Sequence, residues 1–192
     1  MSEDRREVVL VRHGATAWST TGRHTSTTDL PLLPEGEATA RTLAPLLGTE
    51  PFDLVLTSPR QRARRTADLA GFPDAVVDED LVEWGYGDYE GVTTREIRET
   101  DPGWTVWTHP SPGGETAAEV GERLDRVVTR ARAVHGRVLV FGHGHALRAL
   151  TARWLGLPVS EGRLFRLDTA TVSVLGFERE QPVVLRWNSP GA

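Results

Sequence analysis

The 192-residue chain contains no cysteine. Disulfides, thiolate metal sites and cysteine nucleophiles are therefore excluded. No apolar run approaches the roughly 20 residues that span a bilayer. Positive charge is not in excess either: 22 Lys and Arg stand against 27 Asp and Glu, a net charge of −5. That balance argues against nucleic acid or an anionic membrane surface as the main partner. Linkers, low-complexity tracts and tandem repeats are missing, so residues 1–192 read as one domain. The charged start, Met1-Ser2-Glu3-Asp4-Arg5-Arg6-Glu7, runs into a short strand and does not read as a signal peptide. A soluble, cytoplasmic domain is expected.

What is present is an echo. Val8-Val9-Leu10-Val11-Arg12-His13-Gly14 returns downstream as Val138-Leu139-Val140-Phe141-Gly142-His143-Gly144. Unbroken runs of β-branched and apolar residues read as strands buried on both faces, as in a parallel sheet. Such sheets hold ligands beyond the carboxyl ends of their strands, so both histidines should emerge on one functional edge. The rest alternates in the manner of an α/β fold, a three-layer α/β/α sandwich with a mostly parallel sheet. Strands are expected at 8–12, 53–57, 75–78, 138–142, 164–175 and 183–187, with a polar loop over 19–34. Helices are expected over 35–47, from Ser58 (N-cap, with Pro59 next) to about Ala70, and over 145–155. Two capping boxes, Thr93 to Glu96 and Thr116 to Glu119, should open a short helix and one reaching about Val134. The stretch 79–114, with Trp84, Tyr86, Tyr89, Trp104 and Trp107, reads as an insertion whose aromatics serve as satellite core or as a lid.

Several residues can carry chemistry. The Arg12 guanidinium offers a planar fork of donors to a phosphoryl or carboxylate group, and the His13 imidazole can act as base, ligand or nucleophile. His143 sits in Gly142-His143-Gly144-His145. A His143/His145 metal pair would need ligands from Asp, Glu or other histidines. A serine-centred nucleophile elbow fails there, because Gly144 occupies the centre. Two imidazoles flanking one anion is the better reading. In Ser58-Pro59-Arg60-Gln61-Arg62-Ala63-Arg64-Arg65-Thr66 four arginines crowd a helix N-terminus, which a bound phosphate would compensate. A solvated basic face accounts for some of Arg60, Arg64 and Arg65, less easily for Arg62. Glu83, set among Leu81, Val82 and Trp84, has the surroundings of a general acid.

Together Arg12-His13-Gly14, Ser58-Pro-x-x-Arg62, Glu83 and Gly142-His143-Gly144 resemble the histidine phosphatase, or phosphoglycerate-mutase-like, superfamily. The stretches Ala17-Trp18-Ser19-x-x-Gly22-Arg23-His24-Thr25, Thr28-Asp29-Leu30-Pro31-Leu32 and Glu83-Trp84-x-Tyr86 are similar to its branch with sedoheptulose-bisphosphatase-like and mycobacterial acid-phosphatase-like members. The resemblance implies that His13 attacks phosphorus and becomes a phosphohistidine. It implies that Arg12, Arg62 and His143 bind the phosphoryl oxygens and that Glu83 protonates the leaving oxygen and then activates water. Ser19, Thr25 and Ser26 match loop positions that contact substrate, and Gly144 offers a backbone N–H. No metal or other cofactor is implied. The expected partner is a small phosphomonoester, with sugar phosphates as the leading class. On this reading His13 is neutral and His143 charged, which unequal surroundings would have to arrange. The sequence departs from many relatives at Ala15 and from mutases at Ser19 and Ser26, which favours hydrolysis over phosphoglycerate mutase activity; the intact Arg12, His13, Arg62, Glu83 and His143 argue against a non-catalytic phosphate-binding role.

Overall fold

A computed structural model describes residues 6–191. The charged start through Arg5 lies outside the described residues. Six strands form one sheet: β1 (Glu7–Arg12), β2 (Leu54–Thr57), β3 (Val76–Val77), β4 (Arg137–Gly142), β5 (Thr171–Glu178) and β6 (Gln181–Pro190). Their order is β3-β2-β4-β1-β5-β6, parallel from β3 to β1 and antiparallel through β5 and β6. The mostly parallel sheet expected from the apolar runs is present.

Both faces of the sheet are covered, which is why β1 and β4 carry no polar alternation. Val8, Leu10, Val138 and Val140 face a core shared with α6 (Ala117–Ala133) and α7 (Gly144–Trp154). Val9, Val11, Leu139 and Phe141 face Leu43, Leu47, Ala67 and Ala70 on the opposite side. That second layer holds α2 (Pro34–Arg41), α3 (Ala44–Leu47) and α4 (Gln61–Leu69). Burying each such Val or Leu contributes about 1.5–3 kcal/mol, so both layers are needed to hold the sheet. On α6 the buried positions Val120, Leu124, Val127, Val128 and Ala131 follow helical spacing. Thr116 and Glu119 cap it reciprocally, and Thr93 and Glu96 do the same for α5 (Thr94–Ile97).

Four local expectations are corrected. The polar loop over 19–34 contains the end of a one-turn helix, α1 (Ala17–Thr21), capped by Thr16. The helix expected over 35–47 is broken in two, because Pro45 has no N–H to continue the ladder. Ser58 is not an N-cap. The helix begins at Gln61, with Arg60 at the cap position. The region before β5 is a 3₁₀ turn, Val159–Leu164, followed by irregular chain, so no strand starts at 164. Within 79–114, Trp84, Tyr86 and Trp104 are at most 2 % exposed and belong to the main core rather than to a satellite cluster. Among the described residues no helix is long and apolar enough to cross a membrane.

Candidate active site

Strand register builds the site. Arg12 lies opposite Gly142 in the β1–β4 pair, and Thr57 opposite Phe141 in the β2–β4 pair. His13 and His143, the next residues of β1 and β4, therefore leave the sheet at one height, with Ser58 after β2 one residue lower. The backbone continues the ladder for one step, with His13 N–H donating to Gly142 O at 3.0 Å and Ser58 N–H to Phe141 O at 3.0 Å. The His13 and His143 ring centroids are 5.2 Å apart, 64° between planes. Behind His13 the chain turns through Gly14, where a Cβ would lie 2.5 Å from the carbonyl oxygen of Gly36. Only glycine allows α2 to approach the turn this closely.

The two imidazoles have different far-side partners. His13 Nδ1 lies 2.7 Å from Gly14 O. A carbonyl only accepts, so the proton is on Nδ1 and the lone pair on Nε2. His143 Nε2 lies 2.7 Å from Ser58 Oγ, while its Nδ1 is buried without a partner. Ser58 Oγ accepts from Arg60 N–H at 3.4 Å, and among the described residues the one acceptor within reach of its own proton is His143 Nε2. The imidazole proton of His143 then sits on Nδ1. Burial, reinforced by Arg62, pushes both histidines well below the ordinary histidine range. Without a bound anion, the surroundings therefore push both rings the same way, toward the neutral form.

Arg62, on the first turn of α4, is fully buried. Its terminal nitrogens donate to the carbonyls of Thr28 at 3.1 Å, Thr25 at 3.1 Å and Ser26 at 3.3 Å. Arg12 donates through NH1 to Leu167 O at 2.5 Å. The Nε atoms of both arginines are buried and unpartnered, like His143 Nδ1. Each such nitrogen costs about 1–3 kcal/mol unless an acceptor reaches it. Burial also lowers both guanidinium pKa values, an effect that Glu83 opposes.

Glu83 is 6 % exposed, but it does not sit in a purely apolar niche as its neighbours predicted. Its Oε1 accepts from Trp84 N–H at 2.9 Å and Ala146 N–H at 2.7 Å, and its Oε2 from His145 N–H at 3.0 Å. The carboxylate thus occupies the N-terminus of α7, where free N–H groups and the helix dipole favour negative charge. The preceding chain is clamped by Arg123, whose NH1 donates to Asp80 O at 2.8 Å and Val82 O at 2.9 Å. The anion expected at the other arginine-rich helix start is also the protein's own: Asp29 Oδ1 accepts from Gln61 N–H at 2.9 Å. Arg65 pairs with Glu37 and Asp68 on the surface, and Arg64 is exposed, so both belong to the solvated face.

These groups meet at a cavity of about 180 Å³. Arg12, His13, Ser19, Thr25, Glu83 and Gly144 line it; the buried His143 ring packs edge-on against His13, and buried Arg62 holds the Thr25 carbonyl. Gly144 is the first residue of α7, and a Cβ there would press on the Arg12 guanidinium at 3.2 Å. The Ser19 hydroxyl is spent on the cap of α1. Ser26 is not brought to the cavity wall; it is buried, and its Oγ donates to Glu83 O at 3.0 Å.

Comparison with known families assigns the chain. A family model described as the histidine phosphatase superfamily (branch 1) matches residues 8–190. The chain belongs to that superfamily. It is 44 % identical over 182 residues to an acid phosphatase of Mycobacterium tuberculosis, covering 93 % of this chain and 90 % of that one. It is 39 % identical over 186 residues to sedoheptulose 1,7-bisphosphatase of Saccharomyces cerevisiae, covering 80 % and 69 % respectively. The solved structure of the Mycobacterium tuberculosis open reading frame Rv3214 superposes with a TM-score of 0.94 at 42 % identity, covering 97 % of this chain and 99 % of that one. The chain is accordingly a phosphatase of the superfamily.

Sequence reasoning missed part of the site. Thr16, Arg23, His24, Tyr86, Thr94, His145, Arg148 and Leu167 also line the cavity. Tyr86 Oη is 2.6 Å from His145 Nδ1, so His145 and His143 serve different hydroxyl partners rather than converging as a metal pair. The signal for Arg148 was present in the spacing: it follows His145 by three residues, on the same side of α7.

Proposed function

We propose that the chain hydrolyses phosphomonoesters of small metabolites, sugar phosphates among them, through a phosphohistidine on His13 and without a metal. The observation that carries this reading is the Nδ1–H bond of His13 to Gly14 O, which leaves an Nε2 lone pair on a cavity-lining imidazole, with buried unpartnered nitrogens on neighbouring Arg12, Arg62 and His143. Nε2 attacks phosphorus in line, and the bond from phosphorus to the leaving oxygen breaks. Arg12, Arg62 and the Nδ1–H of neutral His143 take the equatorial oxygens, where charge gathers in the transition state. Glu83 gives its proton to the leaving oxygen. It then removes a proton from water as that water attacks phosphorus, breaking the P–N bond and restoring the Nε2 lone pair. The domain acts as one unit, with 79–114 supplying Glu83, Tyr86 and Thr94 to one wall.

Rapid quenching with ³²P-labelled substrate tests the reading. The expected result is an acid-labile phosphoprotein that His13→Ala cannot form, with turnover of phenyl phosphate lost by at least about a thousandfold. His13→Ala with full activity overturns it. Isomer rather than free phosphate from 3-phosphoglycerate with trace 2,3-bisphosphoglycerate would make the chain a mutase.

A further inference from the structure

Arg12 is held in place from outside its own strand. Its guanidinium donates through NH1 to Leu167 O, and its carbonyl accepts from Ala170 N–H at 3.0 Å. The same N–H lies 3.2 Å from His13 O. Both anchors belong to the irregular chain and turn that precede β5. That chain has no ladder to fix it, and Ala170 stands at φ 51°, a conformation uncommon outside glycine.

A bulge in β6 fixes it instead. Val172 pairs with Ser189 and Val174 with Arg186, so Ser173 alone faces two residues, Trp187 and Asn188. Such a bulge re-aims side chains out of the regular alternation of a strand. The Trp187 indole N–H donates to Arg166 O. Asn188 Oδ1 accepts from Asp168 N–H at 2.8 Å, and its Nδ2 donates to Asp168 Oδ2 at 2.9 Å. The backbone N–H of Asn188 donates to Oγ of the fully buried Ser173 at 2.9 Å. Asn188 has φ 55°, which asparagine tolerates better than most residues with a side chain. Leu167 is thus flanked on both sides by residues tied to β6, and its own carbonyl is the one given to Arg12. The Asp168 carboxylate, held below the ordinary range by Asn188 and then by Arg166, is also among the charges that oppose burial at Arg12. A clasp serving the β5–β6 hairpin alone would need no bond to Asp168, which belongs to neither strand.

We propose that Asn188 is a positioning residue for Arg12: by pinning Asp168 it sets the place of Leu167 O, which fixes the guanidinium at the cavity wall. The inference rests on the proposed role of Arg12 in binding the phosphoryl oxygens and adds a residue that does not line the cavity.

A double-mutant cycle on kcat/KM with phenyl phosphate tests it. Asn188→Gly removes the side chain and leaves a backbone at ease at positive φ. Arg12→Met removes the guanidinium and should cost about 10²–10³. Each rate is scaled to the folded fraction read from the melting curve. In the unaltered background Asn188→Gly should lower kcat/KM by about tenfold, the scale of lost hydrogen bonds to one loop. In the Arg12→Met background it should change the rate by less than about twofold, because the group it positions is gone. If Asn188→Gly melts below the assay temperature, Asn188→Asp, which keeps the acceptor for Asp168 N–H and loses the donor, goes through the same cycle with the same difference between backgrounds expected. Equal factors in the two backgrounds would make Asn188 a residue of the hairpin alone and overturn the inference. An unchanged kcat/KM in the unaltered background overturns it too. The two failures are distinguishable: full activity in Arg12→Met removes Arg12 from the chemistry and the inference with it, whereas a crippled Arg12→Met beside an unaffected Asn188→Gly removes the positioning role only.

Discussion

Replacing Ser58 with alanine removes one oxygen atom that never reaches the cavity, yet it should slow the enzyme. Ser58 is fully buried, and its Oγ is 2.7 Å from Nε2 of a fully buried imidazole. Without the hydroxyl, Nε2 becomes an unpaired acceptor at a cost of about 1–3 kcal/mol, which lowers the melting temperature by several degrees in a chain of this length. The kinetic effect comes from the proton. With serine donating to Nε2, Nδ1 holds the hydrogen and donates to the phosphoryl group. With alanine, the tautomer carrying the proton on Nε2 is no longer opposed, and its Nδ1 presents a lone pair to an anion. Equal populations would halve kcat. A preference of 1.4 kcal/mol for the wrong tautomer would cost about tenfold, and complete loss of a transition-state donor about 10²–10³. The expected fall is about tenfold in kcat with phenyl phosphate, and KM should change less. Nitrogen-15 shifts of His143 read the cause directly: Nδ1 should be the protonated nitrogen in the unaltered protein and lose that character in Ser58→Ala. A variant with undiminished kcat, or an unaltered protein with its proton on Nε2, refutes the reasoning.

Glu83→Gln should lower kcat by about 10²–10⁴, because the amide cannot shuttle a proton. It should also cost about 1–3 kcal/mol by calorimetry, since both carboxylate oxygens accept N–H groups at the start of α7 and an amide turns one acceptor into a donor; unchanged kcat removes Glu83 from the mechanism. Acidification should destabilise the fold. His13, His143 and His145 all lie well below 6.5 in the native state, chiefly through burial. Below about pH 6.5 the unfolded chain binds protons that the native state refuses, so stability present at neutral pH is lost as pH falls, at up to about 1.4 kcal/mol per unit for each histidine. Melting temperatures at pH 7.5 and 5.5 check the sign, and a flat profile refutes it. Gly36→Ala should unfold the protein or displace His13, because its Cβ would collide with the backbone of Ala15; a soluble variant with full activity would show that α2 does not brace the nucleophile turn.

Much of this site was legible in the sequence because it is built from strand ends. Val8–Arg12 and Val138–Gly142 declare buried parallel strands by lacking alternation, and a shared register does the rest. The capping boxes at Thr93 and Thr116 were legible because every partner lies within three residues. Illegible features depend on partners far along the chain. Ser58-Pro59 has the local chemistry of a helix start, but Asp29, 32 residues upstream, caps Gln61 instead and frees the Ser58 hydroxyl for His143. The loop residue Ser26 looks like a ligand for substrate, yet Glu90 holds its N–H and Glu83 O takes its hydroxyl. Glu83 itself has apolar neighbours in sequence and helix N–H groups as neighbours in space.

The two His-Gly strand ends differ in a property other than charge. Both imidazoles, 5.2 Å apart, share one cage of arginines and one burial, and both are pushed toward the neutral form. The distinction can be made without charge. A neutral imidazole has a donor end and an acceptor end, and whatever touches the far nitrogen decides which end faces the ligand. Gly14 O, an obligate acceptor, makes the near nitrogen of His13 a nucleophile. Ser58, whose proton has His143 Nε2 as the one acceptor in reach among the described residues, makes the near nitrogen of His143 a donor. Because neither assignment needs a proton from solvent, the attacking and stabilising roles should persist together down to acid pH, until burial no longer keeps the rings neutral. A phosphatase whose two histidines divided their roles by charge would instead lose activity on one side of a pKa near 6.5. The acid limb of the kcat profile with phenyl phosphate distinguishes the two designs: tautomeric division predicts no inflection near 6.5.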